Sequence, residues 1–201
     1  MTRKLRDERY ALFCETLSSV EPSAPTLCAG WTAHDLAAHV WVIKRDPAGW
    51  PGMALPFLER LTDARLARVK DRWSYAELID RLREHGPGIA AMPGDGFEGH
   101  RHALGEYVIH TEDIRRPNDL PPLPDTPTLR NALWRRVAVA ARLLHGRRRD
   151  GLILQRPRGG DVVVVRGGPG GISVIGEPVE VLLWVYGRAT AADVEIRSLA
   201  T

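Results

Sequence analysis

The stretch GHRHALGEYVIHTEDIRRP, residues 99–117, carries most of the information about fold and function in this chain. Side chains four positions apart lie one above the other on an α-helix, so a helix here places His102, Glu106 and His110 on one face. Pro117 ends the helix, because the residue before a proline is disfavoured in the helical conformation. The stretch therefore predicts a helix that offers a carboxylate and an imidazole to a single ion.

The best candidate for a further ligand is His39, in LCAGWTAHDLAAHVW, residues 27–41. It follows Leu36 by three positions and precedes Ile43 by four, so it lies beside the apolar stripe of its own helix and is expected to point inward. Two histidines and one glutamate are typical of catalytic zinc, which keeps a fourth position open. The same set occurs in non-haem iron oxygenases, so the residue types alone leave the metal open.

Each of these residues also has an ordinary structural interpretation. Glu106 and His110 could form a plain helix pair worth a few tenths of a kcal/mol, and His39 could be a core histidine. His102 lies one turn before Glu106 and is the first substitute if one ligand is misassigned. A fourth protein ligand, from His102 or Cys28, would instead close the site and make the metal structural.

Helical spacing of apolar residues predicts several further helices before the metal-site helix. Residues 3–20 form the first, and Thr32 with Asp35 caps the second, which carries His39. The others cover residues 56–70 and a segment from Ser74, capped with Glu77, to about His85. An all-helical bundle follows, and bundles build metal sites between facing helices.

A proline-rich connector, residues 117–127, separates this bundle from a segment of different composition. Thr128 is expected to cap a helix, and the glycine-broken runs GLILQRP, DVVVVRG and GISVIG are expected to be short strands. Pro178 suits the first turn of a closing helix. The predicted fold class is α+β, with a helical domain at 1–118 and a small α/β domain at 128–201.

Composition limits the classes of function that remain. The chain has 201 residues, 44% of them hydrophobic, and a net charge of +3, and no segment approaches the ~20 apolar residues that cross a bilayer. The first residues, MTRKLRDERYALF, lack the long apolar core expected of a secretory signal, and Cys14 and Cys28 are too few for a disulfide framework. We therefore expect a cytoplasmic protein that does not bind a membrane.

Two groups of arginines could suggest an anionic partner. The run at 147–149 has no interleaved aromatic residue and no nucleic-acid-binding motif around it, so a solvated helix end is favoured over nucleic-acid binding. Arg115 and Arg116 are expected to pair with Glu112 or Asp113 at the end of their helix, with an anionic ligand as the other possibility. No nucleic-acid partner is expected.

Three segments, in this order, resemble one known family. CAGWTAHDLAAHV at 28–40, GEYVIHTEDIRRP at 105–117 and GEPVEVLLWVYGR at 176–188 are similar to the mycothiol-dependent maleylpyruvate isomerase family, a branch of the DinB-like metal-binding helical bundles. The resemblance spans most of the chain. It implies a DinB-like four-helix bundle followed by a small C-terminal α/β domain.

The resemblance also implies a ligand set and a chemistry. Members of the family hold a divalent metal, commonly zinc, at positions that correspond here to His39, Glu106 and His110. Mycothiol would be the thiol cosubstrate, acting on a small electrophilic substrate by reversible addition, which isomerises a double bond, or by S-transfer. Arg188 is a candidate clamp for a substrate carboxylate, and no residue is identified as the proton carrier.

Some alternatives stay open at this stage. Thr111 stands where many relatives have a second histidine, and the chain is shorter than the isomerases it resembles, so the substrate is left open. A non-catalytic metal-binding or interaction protein, in which the same three residues only join the helices, is the alternative from another class. The assembly is expected to be a monomer or a homodimer.

Overall fold

The chain divides into two compact units, Met1–Pro122 and Leu123–Thr201. The structure, a computed structural model, describes residues 1–46, 59–86 and 95–199, with the side chains of 59–61 excepted. The described part of the first unit is helical, and the second unit combines helices with a four-stranded sheet. The α+β fold class predicted from the sequence is confirmed. None of the described helices is long and apolar enough to cross a membrane.

The described part of the first unit holds five α-helices and one short 3-10 helix. They are α1 (Thr2–Ser18), α2 (Ala33–Arg45), α3 (Glu59–Arg72), α4 (Tyr75–His85), α5 (Arg101–Arg115) and the 3-10 helix Arg116–Asn118. Both capping boxes predicted from the sequence form, at Thr32 with Asp35 and at Ser74 with Glu77. The expected start of the third helix, at 56–58, lies outside the described residues.

Helix α5 begins without a cap from its formal N-cap residue. His100 has a left-handed backbone, with φ 69°, and no capping side-chain bond. Asp95 supplies the cap from outside the helix, because its Oδ1 accepts the backbone N–H of Ala103 at 3.0 Å. A carboxylate at this position also interacts favourably with the positive end of the helix dipole.

The core of the first unit lies between α1, α2, α4 and α5. Tyr107 of α5 packs its ring against Tyr10 and Phe13 of α1, with centroid distances of 4.8 and 6.4 Å. Full burial of a large apolar side chain contributes about 1.5–3 kcal/mol relative to exposure. Other completely buried side chains of this core include Leu17, Leu36, Leu78, Leu82 and Ile114.

One lysine is buried within this helical unit. Lys44, 3% exposed, donates from Nζ to the hydroxyl of Tyr10 at 2.7 Å and to the carbonyl of Gly86. The Tyr10 hydroxyl in turn donates to the carbonyl of Leu82 at 2.5 Å. Burial disfavours the charged form and lowers the pKa of Lys44 from 10.5 to about 8.

The stability of the protein should therefore depend on Lys44 in alkaline solution. Between pH 8 and 10.5 the unfolded chain keeps the lysine proton while the folded chain releases it, so this group raises the free energy of unfolding as pH rises. Lys44→Met should remove that contribution. Urea unfolding from pH 7.5 to 10 should show the wild type gaining stability relative to the variant; parallel curves would contradict the assignment.

The second unit has two helices and four strands in the described residues. They are α6 (Pro127–His145), β1 (Gly151–Gln155), β2 (Val162–Arg166), β3 (Gly171–Ile175), α7 (Pro178–Val185) and β4 (Glu195–Ser198). The cap of α6 differs from the prediction: Thr126, not Thr128, accepts the N–H of Leu129. Pro127 takes the first helical position, where a missing N–H costs nothing, and this moves the cap upstream.

The sheet has the order β2-β1-β3-β4. Strand β1 is antiparallel to β2 and parallel to β3, whereas β4 is antiparallel to β3. Helix α6 packs against α7 and β2. Leu152, Leu154 and Val174 are completely buried, whereas Val162 and Val164 on edge strand β2 are 53% and 54% exposed.

This strand order explains the glycines between β2 and β3. After β2 the chain must pass the start of β1 to enter the sheet on its other side, and residues 167–171, GGPGG, make this passage. Gly171 has φ +105°, and a Cβ there would lie 2.0 Å from the carbonyl oxygen of Gly151. Backbone passes so close to backbone that only glycine fits.

Gly171→Ala should be strongly destabilising. The positive φ and the steric clash together should cost roughly 3 kcal/mol, since each term alone is worth about 1–3 kcal/mol. Gly167→Ala is the matched control, because a Cβ at that position meets nothing within 4 Å; it should stay within about 0.5 kcal/mol of wild type. Equal unfolding free energies for the two variants, measured in urea, would contradict this account of the passage.

Candidate metal centre

Glu106 lies between two histidines on one face of α5. Its Oε1 is 3.6 Å from Nε2 of His102, and its Oε2 is 3.5 Å from Nε2 of His110. This is the stacking that residues four apart on a helix adopt. The side chains of His102 and Glu106 keep 22% and 15% exposure, whereas that of His110 keeps 7%. The face is therefore open at one end and buried at the other.

The Glu106 carboxylate and the neighbouring imidazoles stabilise each other's charged forms. Burial alone would raise the pKa of Glu106, but the contacts with His102 and His110 outweigh it and hold the pKa well below its usual range. Burial alone would lower the pKa of His110, and the contacts with Asp113, Cys28 and Glu106 raise it well above its usual range. Without a metal, the carboxylate is thus balanced by a proton on the imidazole. A divalent cation could take the place of that proton.

His39 reaches the same region from α2. Its ring lies edge-on to the ring of His110, with centroids 5.2 Å apart and an interplanar angle of 85°. On its other side, the indole of Trp31 lies 4.9 Å from it, centroid to centroid. The structure therefore places the His39 ring beside that of His110; the ligand role of His39, Glu106 and His110 stays a prediction.

A second group of potential ligands lies on the other side of His110. Among the described residues, Cys28, His110 and Asp113 are the three metal-binding side chains whose ligand atoms all lie within 4.8 Å of one another. Nδ1 of His110 is 3.0 Å from Oδ2 of Asp113, and Sγ of Cys28 is 3.3 Å from the same oxygen. Asp113 was not predicted as a ligand from the sequence, although it follows His110 by three positions and so shares its helix face.

The two groups share His110 but differ in access. In the second group the side chains of Asp113 and His110 are 0% and 7% exposed, whereas Cys28 is partly exposed, so this group meets solvent only on the Cys28 side. A carboxylate oxygen can only accept, so the neighbouring Nδ1 of His110 carries the proton and donates it. Its Nε2, which forms no hydrogen bond with a described atom, then faces Glu106. A histidine that binds a metal through one nitrogen usually donates from the other in this way.

Other residues named from the sequence have structural partners. Arg115 and Arg116 both pair with Glu112, at 2.6 and 2.7 Å. Arg188 donates to the carbonyl of Tyr186 at 2.7 Å. The pairs with Glu112 give the two arginines a structural role at the end of α5.

Cys14 is the second free thiol of the chain. It belongs to the core of the first unit and is 2% exposed. Burial raises the pKa of its thiol to about 11. A buried thiol of this kind is inert, which agrees with the plain core role that its place in α1 suggests.

Comparisons with known proteins agree with this architecture. The sequence model of the family described as "Mycothiol maleylpyruvate isomerase N-terminal domain" matches residues 4–115. A solved structure described as "Crystal structure of the mycothiol-dependent maleylpyruvate isomerase" superposes with a TM-score of 0.65 at 15% sequence identity, over 98% of this chain and 91% of that one. No curated protein sequence matches the chain significantly.

Proposed function

The chain belongs to the mycothiol maleylpyruvate isomerase N-terminal domain family, and on that premise we propose that it is a divalent-metal-dependent enzyme of the mycothiol-dependent isomerase or S-transferase type. Zinc is the proposed metal. The substrate is a small electrophile, either with a conjugated double bond that isomerises or with a group that leaves during S-transfer. The family membership supports an enzyme in general terms, and the arrangement of side chains around Glu106 supports the metal.

The proposed ligands are His39, Glu106 and His110. The observation that carries this assignment is the buried Nε2 of His110, which makes no hydrogen bond with a described atom and lies 3.5 Å from the Glu106 carboxylate. Two imidazoles and one carboxylate fit zinc, and they leave a fourth position for a thiol. A zinc ion bound there would stabilise the deprotonated form of a low-molecular-weight thiol.

The chain itself contributes position and charge. Glu106 is ionised and supplies the negative charge that a cation needs, while its partial exposure leaves a path for the thiol. His110 is held by Asp113, and Trp31 covers one side of His39. His102, the most exposed of the helix face, borders the open end and is the residue nearest to an incoming thiol in this proposal.

One observation favours a second candidate function. The group of Cys28, His110 and Asp113 has the thiol, imidazole and carboxylate chemistry of a structural zinc site. A metal bound there would connect α5 with the loop that contains Cys28. A fourth protein ligand would leave no position for a substrate. The protein would then be a metal-stabilised binding or interaction module. The two candidates differ in which side chains hold the metal and in whether a thiol can reach it.

The first test is metal content after purification. Wild type should carry about one zinc per chain. His39→Ala, Glu106→Gln and His110→Ala should each lose it, because two remaining protein ligands bind zinc much more weakly than three. Metal is measured by elemental analysis, and folding by circular dichroism. His34→Ala is the control on the same helix as His39 and should keep its zinc. Zinc retained in His39→Ala and Glu106→Gln but lost in Cys28→Ala would favour the structural module.

The second test asks whether a thiol reaches the metal. Cobalt-substituted wild type should develop a sulfur-to-cobalt charge-transfer absorption band when mycothiol is added, because the open position admits the thiolate. Methanol in place of the thiol should leave the spectrum without this band. Cobalt bound at one per chain with no response to mycothiol would exclude the proposed chemistry.

A further inference from the structure

Asp113 of α5 contacts the loop that contains Cys28, 85 positions earlier in the chain. Its Oδ2 receives the Nδ1–H of His110 at 3.0 Å and the S–H of Cys28 at 3.3 Å. Its backbone carbonyl accepts the N–H of Leu27 at 2.9 Å. The loop that contains Cys28 is therefore attached to α5 through both the backbone and the side chain of a single residue.

The loop that holds Cys28 is itself closed by hydrogen bonds. Thr26 donates from Oγ1 to the carbonyl of Trp31 at 2.8 Å, and its Oγ1 accepts the N–H of Cys28 at 3.2 Å. The N–H of Trp31 donates to the carbonyl of Cys28 at 2.9 Å. The thiol is thus fixed in place, and the same loop sets the Trp31 ring against His39.

From this geometry we propose that Cys28 is a positioning residue: its thiol holds the Asp113 carboxylate, which in turn fixes the His110 ring with Nε2 directed at Glu106. The inference rests on the proposed function, because it explains how that Nε2 is presented to a metal. Cys28 then acts through Asp113 and through its own contact with His110, and touches neither metal nor substrate. Asp113 has a side-chain exposure of 0%, so each donor on its oxygen compensates for lost hydration.

Loss of the thiol should loosen the imidazole without removing a ligand. Groups that orient a metal-binding histidine usually contribute 10–100-fold in metal affinity. Because S–H is a weak donor, Cys28→Ala should weaken zinc binding by roughly 10-fold, at the low end of that range. Cys28→Ser keeps a donor in place and should remain within about 3-fold of wild type. Asp113→Asn disturbs both bonds and should weaken binding by at least as much as Cys28→Ala.

The test is a zinc titration of the purified, metal-depleted protein against a chromogenic chelator. Cys14→Ala, which removes the other thiol, is the control and should bind zinc as wild type does. Affinity of Cys28→Ala within 2-fold of wild type would overturn the proposal. Cobalt-loaded wild type should show no sulfur-to-cobalt band before a thiol is added; a band that Cys28→Ser abolishes would mean that Cys28 is a ligand and would overturn it as well.

A measurement without metal separates this proposal from the proposed function. The Nδ1–H proton of His110 should give a slowly exchanging NMR signal in wild type and exchange faster with water in Cys28→Ala. If wild type binds no zinc, the proposed function fails, and the exchange rates alone decide whether Cys28 positions the ring. Equal exchange in the two proteins would overturn the positioning role whatever the zinc result.

Discussion

The buried carboxylate of Asp113 is the group on which the arrangement of the candidate site depends. A carboxylate removed from water is costly unless donors replace its hydration. Here an imidazole N–H and a thiol S–H meet its Oδ2. Because the carboxylate can only accept, it determines which nitrogen of His110 is left to face Glu106. Asp113 therefore sets the orientation of His110, which belongs to both candidate metal sites.

Helix α5 serves the core and the candidate site at once. Tyr107 and Ile114 face the helices of the first unit and are buried at 1% and 0% exposure, while Glu106 and His110 occupy the adjoining face. A helix packed this tightly cannot rotate without breaking its contacts with α1, because protein interiors are packed like crystals. The apolar packing of α5 thus holds Glu106 and His110 in position. Core substitutions near Tyr107 would shift these two side chains without contacting them.

Local spacing predicted much of the helical unit and part of its site. The capping boxes at Thr32 and Ser74 fix two helix starts, and the four-residue spacing places Glu106 beside His110. Asp113 could have been found from its three-residue spacing to His110. The contact between Cys28 and Asp113 depends on how a loop packs on a distant helix, and no local pattern encodes it. The expected ligand role of His39, Glu106 and His110 stays a prediction.

In the second unit the sequence predicted the helices and three of the four strands. Strand β4 was missed because all four of its residues are exposed, so no alternation of apolar and polar residues marks it. The cap of α6 was placed two residues late because the effect of Pro127 on the helix start was overlooked. The glycines before β3 were interpreted as breaks between strands. Their stricter role, the close passage of the chain past the start of β1, depends on the strand order and cannot be derived from the local sequence.

Strand β2 carries a liability that follows from its place in the sheet. It lies at the edge, its four consecutive residues 162–165 are all valine, and two of them are more than half exposed. An edge strand offers backbone N–H and C=O groups to any extended chain, and a β-branched apolar run is the composition that self-associates. Asp161 and Arg166 flank the run with opposite charges and so act as gatekeepers against aggregation. Neutral replacements at these two positions would leave the fold intact but make the protein harder to keep in solution.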